Sequence, residues 1–373
     1  MIPNRVLMTT DAVGGVWRYS LDLARSLNAA GIEVVLACLG PAPSEDKRRE
    51  ADALTSTRLV TLDLPLDWMA EGPEALADVP RRLAALAEET GADLLHLNLP
   101  SQAAGIETAR PVVVVSHSCV VTWWAAMREG PLPADWDWQF ALNRAGFERA
   151  DAIVAPAKAH AEAVRAAYAG IRPVRTVPNA ITPPLEAQKA PKRPVVFAAA
   201  RWWDESKNAR LLDAMAAEVS WSVKAAGATR GDNGQSVSFT HAEALGNLPF
   251  AETQRLMGEA GIFVSPSLYE PFGLAVLEAA TAGAALVLAD IATYRELWGG
   301  AARFADPNDP AAFARAVETL SADSGARALL GAQARERARR FTPACQLEAL
   351  FAVYRAAAAG STGLPLGLPQ AAE

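Results

Sequence analysis

The feature that most constrains the fold is a repeated alternation of short apolar strands with amphipathic helices. The first example is a predicted strand over residues 5–10, a glycine pair at Gly14 and Gly15, and a predicted helix over 16–30. Residues 111–117 contain the run VVVV, and such continuous β-branched strands between helices are typical of parallel sheets covered on both faces. The pattern therefore predicts an α/β protein with doubly wound parallel sheets.

One proline-rich, charged segment interrupts the alternation. The sequence ITPPLEAQKAPKRP begins at Ile181 and lacks helical or strand periodicity, so residues 181–193 are predicted to be a linker. It separates a Rossmann-like domain at 1–180 from a second at 194–342, in which one predicted strand covers 236–241. A last amphipathic helix at 343–359 is predicted to pack back on the first domain. Two such domains would face each other across a cleft, and ligands of such sheets bind at the carboxyl ends of the strands.

Composition excludes several classes of function. The net charge is −7, which argues against a partner that is recognised through its phosphates, such as nucleic acid. The cysteines, Cys38, Cys119 and Cys345, are too dispersed for a metal site or a disulfide framework. No apolar stretch approaches the ~18 residues that a spanning helix needs. We expect a cytoplasmic protein without a signal peptide, stable membrane insertion or a bound metal or cofactor.

The strongest local signal is SPSLYEPFGLAVLEAA, residues 265–280. A buried strand ends at the first serine, a loop presents Glu270, and a helix is predicted to begin near Phe272 or Gly273. The free amides of Phe272, Gly273 and Leu274 would form a cradle for an anion or a hydroxyl at the helix N-terminus. Glu278 would lie roughly 7.5 Å further along the helix axis. Two carboxylates can therefore face one extended ligand at separate points, and each suits a pair of hydroxyls that donate to it. Alternatively, the two glutamates are simply a helix cap and a solvated helix residue.

This stretch resembles a known family. Glu270 to Glu278 is similar to the E-x7-E motif of retaining glycosyltransferases of the GT-B fold, specifically family 4. Further matches follow in the family's order: Gly14-Gly15-Val16, Val177-Pro178-Asn179 (with Ala180 where glycine is usual), Ala200-Arg201 with Lys207-Asn208, Leu245 to Pro249, and Arg295-Glu296-Leu297. The resemblance extends to about residue 358 and is more specific in the C-terminal half.

The resemblance implies a nucleotide-sugar donor, held mainly by the second domain, and roles for individual residues. Arg201 and Lys207 would hold the diphosphate, although they could be ordinary surface cations, and Glu270 would orient the donor sugar. With His117, these are the candidate catalytic residues. The implied substrate-binding residues are Gly14, Gly15, Asn179, Leu248, Phe272, Gly273, Leu274 and Glu278, of which Glu278 would bind the ribose hydroxyls and Leu248 would border the base.

Two histidines end predicted strands of the first domain. His117 follows VVVV and is either structural or, as the resemblance implies, near the far hydroxyls of the donor sugar. His96 either lines the acceptor side or belongs to the core. The mixed-charge run Glu45–Glu50 is predicted to be a solvated loop or helix end.

Aromatic residues cluster after His117. They could stack on sugars or clamp an irregular loop; they are Trp123, Trp124, Trp136 and Trp138. Trp202-Trp203 is predicted to pack its loop rather than border the cleft. Asp135-Trp136-Asp137 has the form of a metal-binding D-x-D motif, but it falls at a predicted helix start, where aspartate caps well.

These observations predict a metal-independent retaining glycosyltransferase that uses a nucleotide sugar, with a UDP-sugar as the preferred donor. The acceptor would enter past Gly15 and His117 and could be a saccharide, a lipid-linked molecule or a small molecule. A front-face attack, in which the leaving phosphate takes the acceptor's proton, needs no protein base. A nucleotide-sugar epimerase, a phosphorylase and a non-catalytic sugar-nucleotide-binding protein remain alternatives.

Overall fold

The structure, a computed structural model, describes residues 2–182, 191–231 and 234–360. The chain divides into two compact units, one formed by residues up to Ala180 together with the segment from Pro343, the other by Ile181–Thr342. Of the predicted linker at 181–193, residues 183–190 lie outside the described ranges. Each unit is built on one parallel sheet, which confirms the predicted α/β class with two doubly wound domains.

The first unit contains a seven-stranded sheet in the order β3-β2-β1-β4-β5-β6-β7. Its strands are β1 (Arg5–Asp11), β2 (Glu33–Leu39), β3 (Thr57–Thr61), β4 (Leu94–Leu97), β5 (Val112–Val115), β6 (Ala152–Ala155) and β7 (Val174–Thr176). Its helices are α1 (Gly15–Ala29), α2 (Glu45–Asp52), α3 (Val79–Thr90), α4 (Val120–Met127), α5 (Asp137–Arg149) and α6 (Lys158–Ala167). The VVVV strand is fully buried, as expected for a strand covered on both faces.

The second unit contains a six-stranded sheet in the order β10-β9-β8-β11-β12-β13. Its strands are β8 (Arg193–Ala199), β9 (Ser222–Ala226), β10 (Glu243–Gly246), β11 (Ala260–Ser265), β12 (Ala285–Ala289) and β13 (Arg303–Ala305). Its helices are α7 (Ala209–Ala216), α8 (Phe250–Glu259), α9 (Leu274–Thr281), α10 (Ala292–Trp298), α11 (Pro310–Ala322) and α12 (Ser324–Ala338).

The prediction of a strand over 236–241 is wrong. The strand at this edge of the sheet is β10, which begins at Glu243. The carboxylate of Asp213 accepts hydrogen bonds from the amides of Thr240, His241 and Ala242 at 2.8–3.0 Å. Amides held by one carboxylate cannot also pair with a neighbouring strand, so the ladder starts only after this turn.

The last helix, α13 (Pro343–Ala358), belongs to the first unit and packs against α1. Tyr354 of α13 is fully buried, and its hydroxyl lies 2.8 Å from Nδ1 of His96 in β4. No helix in the described ranges combines the length and the hydropathy needed to cross a bilayer.

Candidate functional site

In the second unit, Lys207 and Glu270 form an ion pair. Nζ of Lys207 lies 2.9 Å from Oε2 of Glu270, and the two side chains are only 12% and 19% exposed. Lys207 ends a single 3-10 turn (Glu205–Lys207) that follows β8, and Glu270 lies in the loop that follows β11. Because both strands are parallel and adjacent, their loops emerge at the same edge of the sheet. The structure therefore brings together two of the predicted site residues.

Backbone contacts fix these two loops to each other. The amide of Leu268 donates to the carbonyl of Ser206 at 2.8 Å. The side-chain amide of Asn208 donates to the carbonyls of Pro266 at 3.1 Å and Pro307 at 2.8 Å. Asn208 adopts a left-handed conformation, with φ of 59°, which asparagine tolerates better than most residues. These hydrogen bonds position the two loops, so the location of the ion pair does not depend on the attraction between its charges alone.

Asp204 is a site residue that the sequence analysis missed. Its Oδ1 accepts hydrogen bonds from the amide of Ser206 at 3.0 Å and the hydroxyl of Ser206 at 2.7 Å, and its Oδ2 lies 3.5 Å from the guanidinium of Arg201. Burial raises the pKa of Asp204, but Lys207, Arg201 and these hydrogen bonds outweigh it, so the net pKa is lowered. The spacing D-x-S at a turn was the sequence signal for this cap.

Arg201 lies beside the same loop. Its guanidinium is 5.6 Å from the centre of the Trp203 ring, and its side chain is 38% exposed. Trp202 is buried and donates from its indole nitrogen to the carbonyl of Ala226 at 2.8 Å, so the predicted packing role is correct for Trp202. Arg201 is therefore accessible to an anion while its loop is anchored in the core.

The N-terminus of α9 lies directly after Glu270. The helix begins at Leu274, and Gly273 is its N-cap with φ of 88°, a conformation that favours glycine. Within the described ranges, no residue accepts a hydrogen bond from the amides of Phe272, Gly273 or Leu274. These are the amides predicted to form the cradle. The side chain of Phe272, by contrast, is buried against Phe341 with ring centres 5.7 Å apart, so only its backbone can serve a ligand.

A hydrogen bond between two hydroxyls joins α10 to the start of the loop that carries Glu270. The hydroxyl of Tyr294 lies 2.6 Å from Oγ of Ser265, the last residue of β11. Burial and the neighbouring carboxylate of Glu270 raise the pKa of Tyr294, so it stays neutral. A Cβ on Gly273 would lie 3.0 Å from the Tyr294 ring, so the helix start packs closely on this tyrosine. Sequence reasoning did not find Tyr294, because it lies on another helix, α10.

The remaining predicted substrate-binding residues lie apart in sequence. Glu278 is a half-buried residue of α9, and Leu248 is a half-buried residue of the loop after β10. β10 is the edge strand of the same parallel sheet, so this loop also emerges at the carboxyl edge. Asn179 is 5% exposed and lies at the end of the first unit, after β7.

In the first unit, the segment between β1 and α1, residues 12–14, is called here the glycine loop, and the side chain of Asp11 holds it through hydrogen bonds. The Oδ1 atom of Asp11 accepts hydrogen bonds from the amides of Val13 at 2.9 Å and Gly14 at 3.1 Å. The amide of Gly14 is therefore occupied. That of Gly15, the first residue of α1, has no acceptor among the described residues.

The run Glu45–Glu50 forms most of α2 and is more than a solvated helix end. Its Lys47 donates to the carbonyl of Ala12 in the glycine loop. Its Glu50 accepts from the indole of Trp17 at 3.2 Å and pairs with Arg18 at 2.9 Å. The charges that the sequence analysis assigned to solvent therefore fasten α2 to the glycine loop and α1.

The two histidines differ in their surroundings. His96 is fully buried between the hydroxyls of Tyr19 at 3.1 Å and Tyr354 at 2.8 Å, which makes it a core residue and excludes a role in lining an acceptor site. His117 is only partly buried, and its Nε2 lies 2.9 Å from Oδ1 of Asn98. Burial, reinforced by His96 and His160, lowers the pKa of His117 to about 3. His117 is therefore neutral at pH 7.

The tryptophans clamp a loop. Trp124 and Trp136 meet edge to face at 5.4 Å, and the guanidinium of Arg128 lies 5.1 Å from the Trp123 ring. Trp138 packs on the core of the unit. Asp135 and Asp137 are exposed, and the described part of the chain contains no group of three or more His, Cys, Asp or Glu residues arranged to hold a metal ion.

Comparisons with known proteins identify the family of the chain. Residues 13–183 match the family model described as Glycosyltransferase Family 4, and residues 193–323 match that of Glycosyl transferases group 1. A segment of 81 residues is 40% identical to O-antigen chain mannosyltransferase B of Escherichia coli, and it spans 21% of each chain.

Solved structures share the fold. Sucrose-phosphate synthase from Thermosynechococcus elongatus aligns with a TM-score of 0.78 at 18% identity, over 96% of this chain and 100% of that one. HepE from Anabaena, in complex with UDP-glucose, aligns with a TM-score of 0.71 at 17% identity, over 94% of this chain and 99% of that one.

Proposed function

The chain belongs to the family 4 glycosyltransferases, and from that premise we propose that it is a retaining, metal-independent enzyme that uses a UDP-sugar. The observation that carries the proposal is the Lys207–Glu270 pair in the second unit. Glu270 is followed, one residue later, by a turn whose amides have no acceptor among the described residues. A cation, a carboxylate and free amides together match the charges and hydroxyls of a nucleotide sugar.

The diphosphate is assigned to Lys207 and Arg201. The bond between the anomeric carbon and the diphosphate oxygen breaks with a gain of negative charge on that oxygen. A cation and a helix N-terminus stabilise this charge more in the transition state than in the bound donor, which accelerates the step. The preference for uridine rests on HepE, a protein of the same fold whose structure contains UDP-glucose.

The sugar is assigned to Glu270 and the amides of Gly273 and Leu274. The carboxylate accepts hydrogen bonds from sugar hydroxyls, and the amides donate to the sugar or to the diphosphate. In the first unit, the candidate contacts for substrate are His117 and the amide of Gly15, for which the described part of the chain offers no acceptor.

Transfer then follows a front-face course. The acceptor hydroxyl forms a bond to the anomeric carbon on the face that the diphosphate leaves, and its proton passes to the departing phosphate oxygen. This course uses no protein base, which fits the low pKa of His117. The free thiols of Cys38 and Cys119 are buried in the core, which supports a reducing, cytoplasmic setting.

The test is a panel of nucleotide sugars. Calorimetric titration with UDP, UDP-glucose and GDP-mannose should show binding of the uridine compounds, and UDP release should rise on addition of a hydroxyl acceptor. Product NMR without acceptor separates the alternatives: a changed sugar would identify an epimerase. Tight binding without turnover towards any acceptor or water would identify a binding protein.

A further inference from the structure

Asn98 lies in the loop after β4, next to the glycine loop, and is 1% exposed. Its Nδ2 lies 2.5 Å from the carbonyl oxygen of Thr9 and 3.4 Å from Oγ of Ser20. A carbonyl can only accept, so the NH2 end of Asn98 must face Thr9. The amide oxygen of Asn98 consequently faces the other way, towards His117.

This orientation determines the protonation of His117. Oδ1 of Asn98 lies 2.9 Å from Nε2 of His117, and an amide oxygen can only accept. Nε2 must therefore carry the proton, and in a neutral imidazole Nδ1 then holds a lone pair. No described residue bonds to Nδ1, and the His117 side chain is partly exposed.

Neighbouring contacts restrain the side-chain amide of Asn98 and the imidazole of His117. The backbone amide of Asn98 donates to Oγ1 of Thr9 at 2.8 Å, and that hydroxyl donates to Oε1 of Gln102 at 2.7 Å. The ring of Tyr19 meets the ring of His117 edge to face at 4.4 Å. Tyr19 is itself held by His96 at 3.1 Å. The imidazole is thus fixed in both tautomer and plane.

We propose that Asn98 is a positioning residue that locks His117 as the Nε2–H tautomer, so that Nδ1 is presented to substrate as a hydrogen-bond acceptor. The ligand group that such a nitrogen selects is a hydroxyl, which can donate; a methyl ether or a deoxy position cannot. The assignment to a sugar hydroxyl rests on the proposed function, whereas the assignment of the tautomer does not.

The test uses the full chain labelled with 15N-histidine, which is practical because the chain has only four histidines. H117Q identifies the His117 signals. At pH 7, the wild-type spectrum should show His117 as the Nε2–H tautomer, and N98A should show a mixture. The matched control is Y354F, which removes a partner of His96 and should leave the His117 signals unchanged.

A kinetic comparison completes the test. For an accepted donor, N98A should raise KM about three- to tenfold, as expected for one lost hydrogen bond. The wild type should prefer this donor over the matching deoxy donor by the same factor, and N98A should lose that preference. An Nδ1–H tautomer or an imidazolium in the wild type at pH 7, or an unchanged tautomer in N98A, would overturn the inference. The expected tautomers without turnover of any nucleotide sugar would instead refute the proposed function.

Discussion

Nζ of Lys207 lies 2.9 Å from the carboxylate of Glu270, although 63 residues separate them along the chain. The pair is largely shielded from solvent, and a partly buried pair is screened less by salt than a surface pair. Before nucleotide binds, each charge therefore neutralises the other. A diphosphate bound to Lys207, as proposed above, would lie beside the carboxylate of Glu270.

Replacing Lys207 by alanine should weaken the binding of UDP far more than that of uridine, because only UDP carries the diphosphate. A hydrogen bond to a charged group contributes about 1.5–3 kcal/mol, so the loss for UDP should be roughly 10- to 100-fold. Calorimetric titration measures both affinities. K224A is the matched control, since Lys224 lies in the same unit but pairs with Glu243. Equal losses for UDP and uridine would contradict the diphosphate role.

Replacing Glu270 by alanine should abolish transfer while leaving UDP binding mostly intact, because the carboxylate is assigned to the sugar and not to the nucleotide. Loss of one such group typically lowers kcat by about 10²–10³-fold. Initial rates and UDP titration are the measurements, and E259Q, at an ion pair on the opposite edge of the sheet, is the control. A variant at position 270 with normal turnover would remove this residue from the mechanism.

Chelation should not affect the reaction. The proposed charge stabilisation comes from Lys207, Arg201 and backbone amides, and it requires no divalent ion. Rates in EDTA should equal rates in Mg²⁺ or Mn²⁺. If EDTA stops the reaction and a metal restores it, the Asp135–Asp137 motif becomes the first candidate for the metal site, and D135N with D137N would test it.

Stability should fall as the pH decreases from 7. Burial lowers the pKa of His96 to about 3 and that of His160 to about 4, whereas unfolded histidine titrates near 6.5. Between these values the unfolded chain binds more protons, so the stabilisation is complete above about pH 6.5 and is lost as the pH falls towards the folded values. The cost is about 1.4 kcal/mol per pH unit for each histidine, or roughly 2 kcal/mol each at pH 5.

Urea unfolding at pH 7 and pH 5 measures this difference. H160Q should reduce the pH dependence by about one histidine's share. H241Q, at an exposed histidine, should leave it unchanged. A pH dependence that is the same in H160Q and the wild type would show that His160 does not remain neutral in the folded chain.

Replacing Gly146 by alanine should destabilise the first unit. A Cβ at this position of α5 would lie 1.7 Å from the carbonyl oxygen of Pro100, so the helix would have to move away at a cost of about 1–3 kcal/mol. Thermal unfolding should show a lower midpoint. G325A, in α12, where a Cβ would meet only the Asp323 carboxylate at 3.4 Å, should be neutral or slightly stabilising. Equal midpoints for G146A and the wild type would contradict the close packing.

Much of the fold could be read from the sequence. Strand and helix periodicity predicted both parallel sheets, because fully buried strands require continuous apolar residues such as VVVV. The strand that ends at Ser265, the loop with Glu270 and the position of Gly273 predicted a helix N-terminus with free amides. The prediction of a strand at 236–241 was wrong because the carboxylate of Asp213, more than 20 residues away in sequence, binds the amides of Thr240 and His241. A contact over that distance leaves no local periodic signal.

The sequence by itself determined the fold class, the helix start after Glu270 and the family, since each depends on residues that are neighbours along the chain. Only the tertiary structure decided that Lys207 meets Glu270, that His96 joins the core through Tyr354, and that Asn98 sets the tautomer of His117. These are pairings of side chains from separate elements. Their distances depend on how parallel strands bring their loops to one edge and how α13 packs against α1, and no local pattern encodes them.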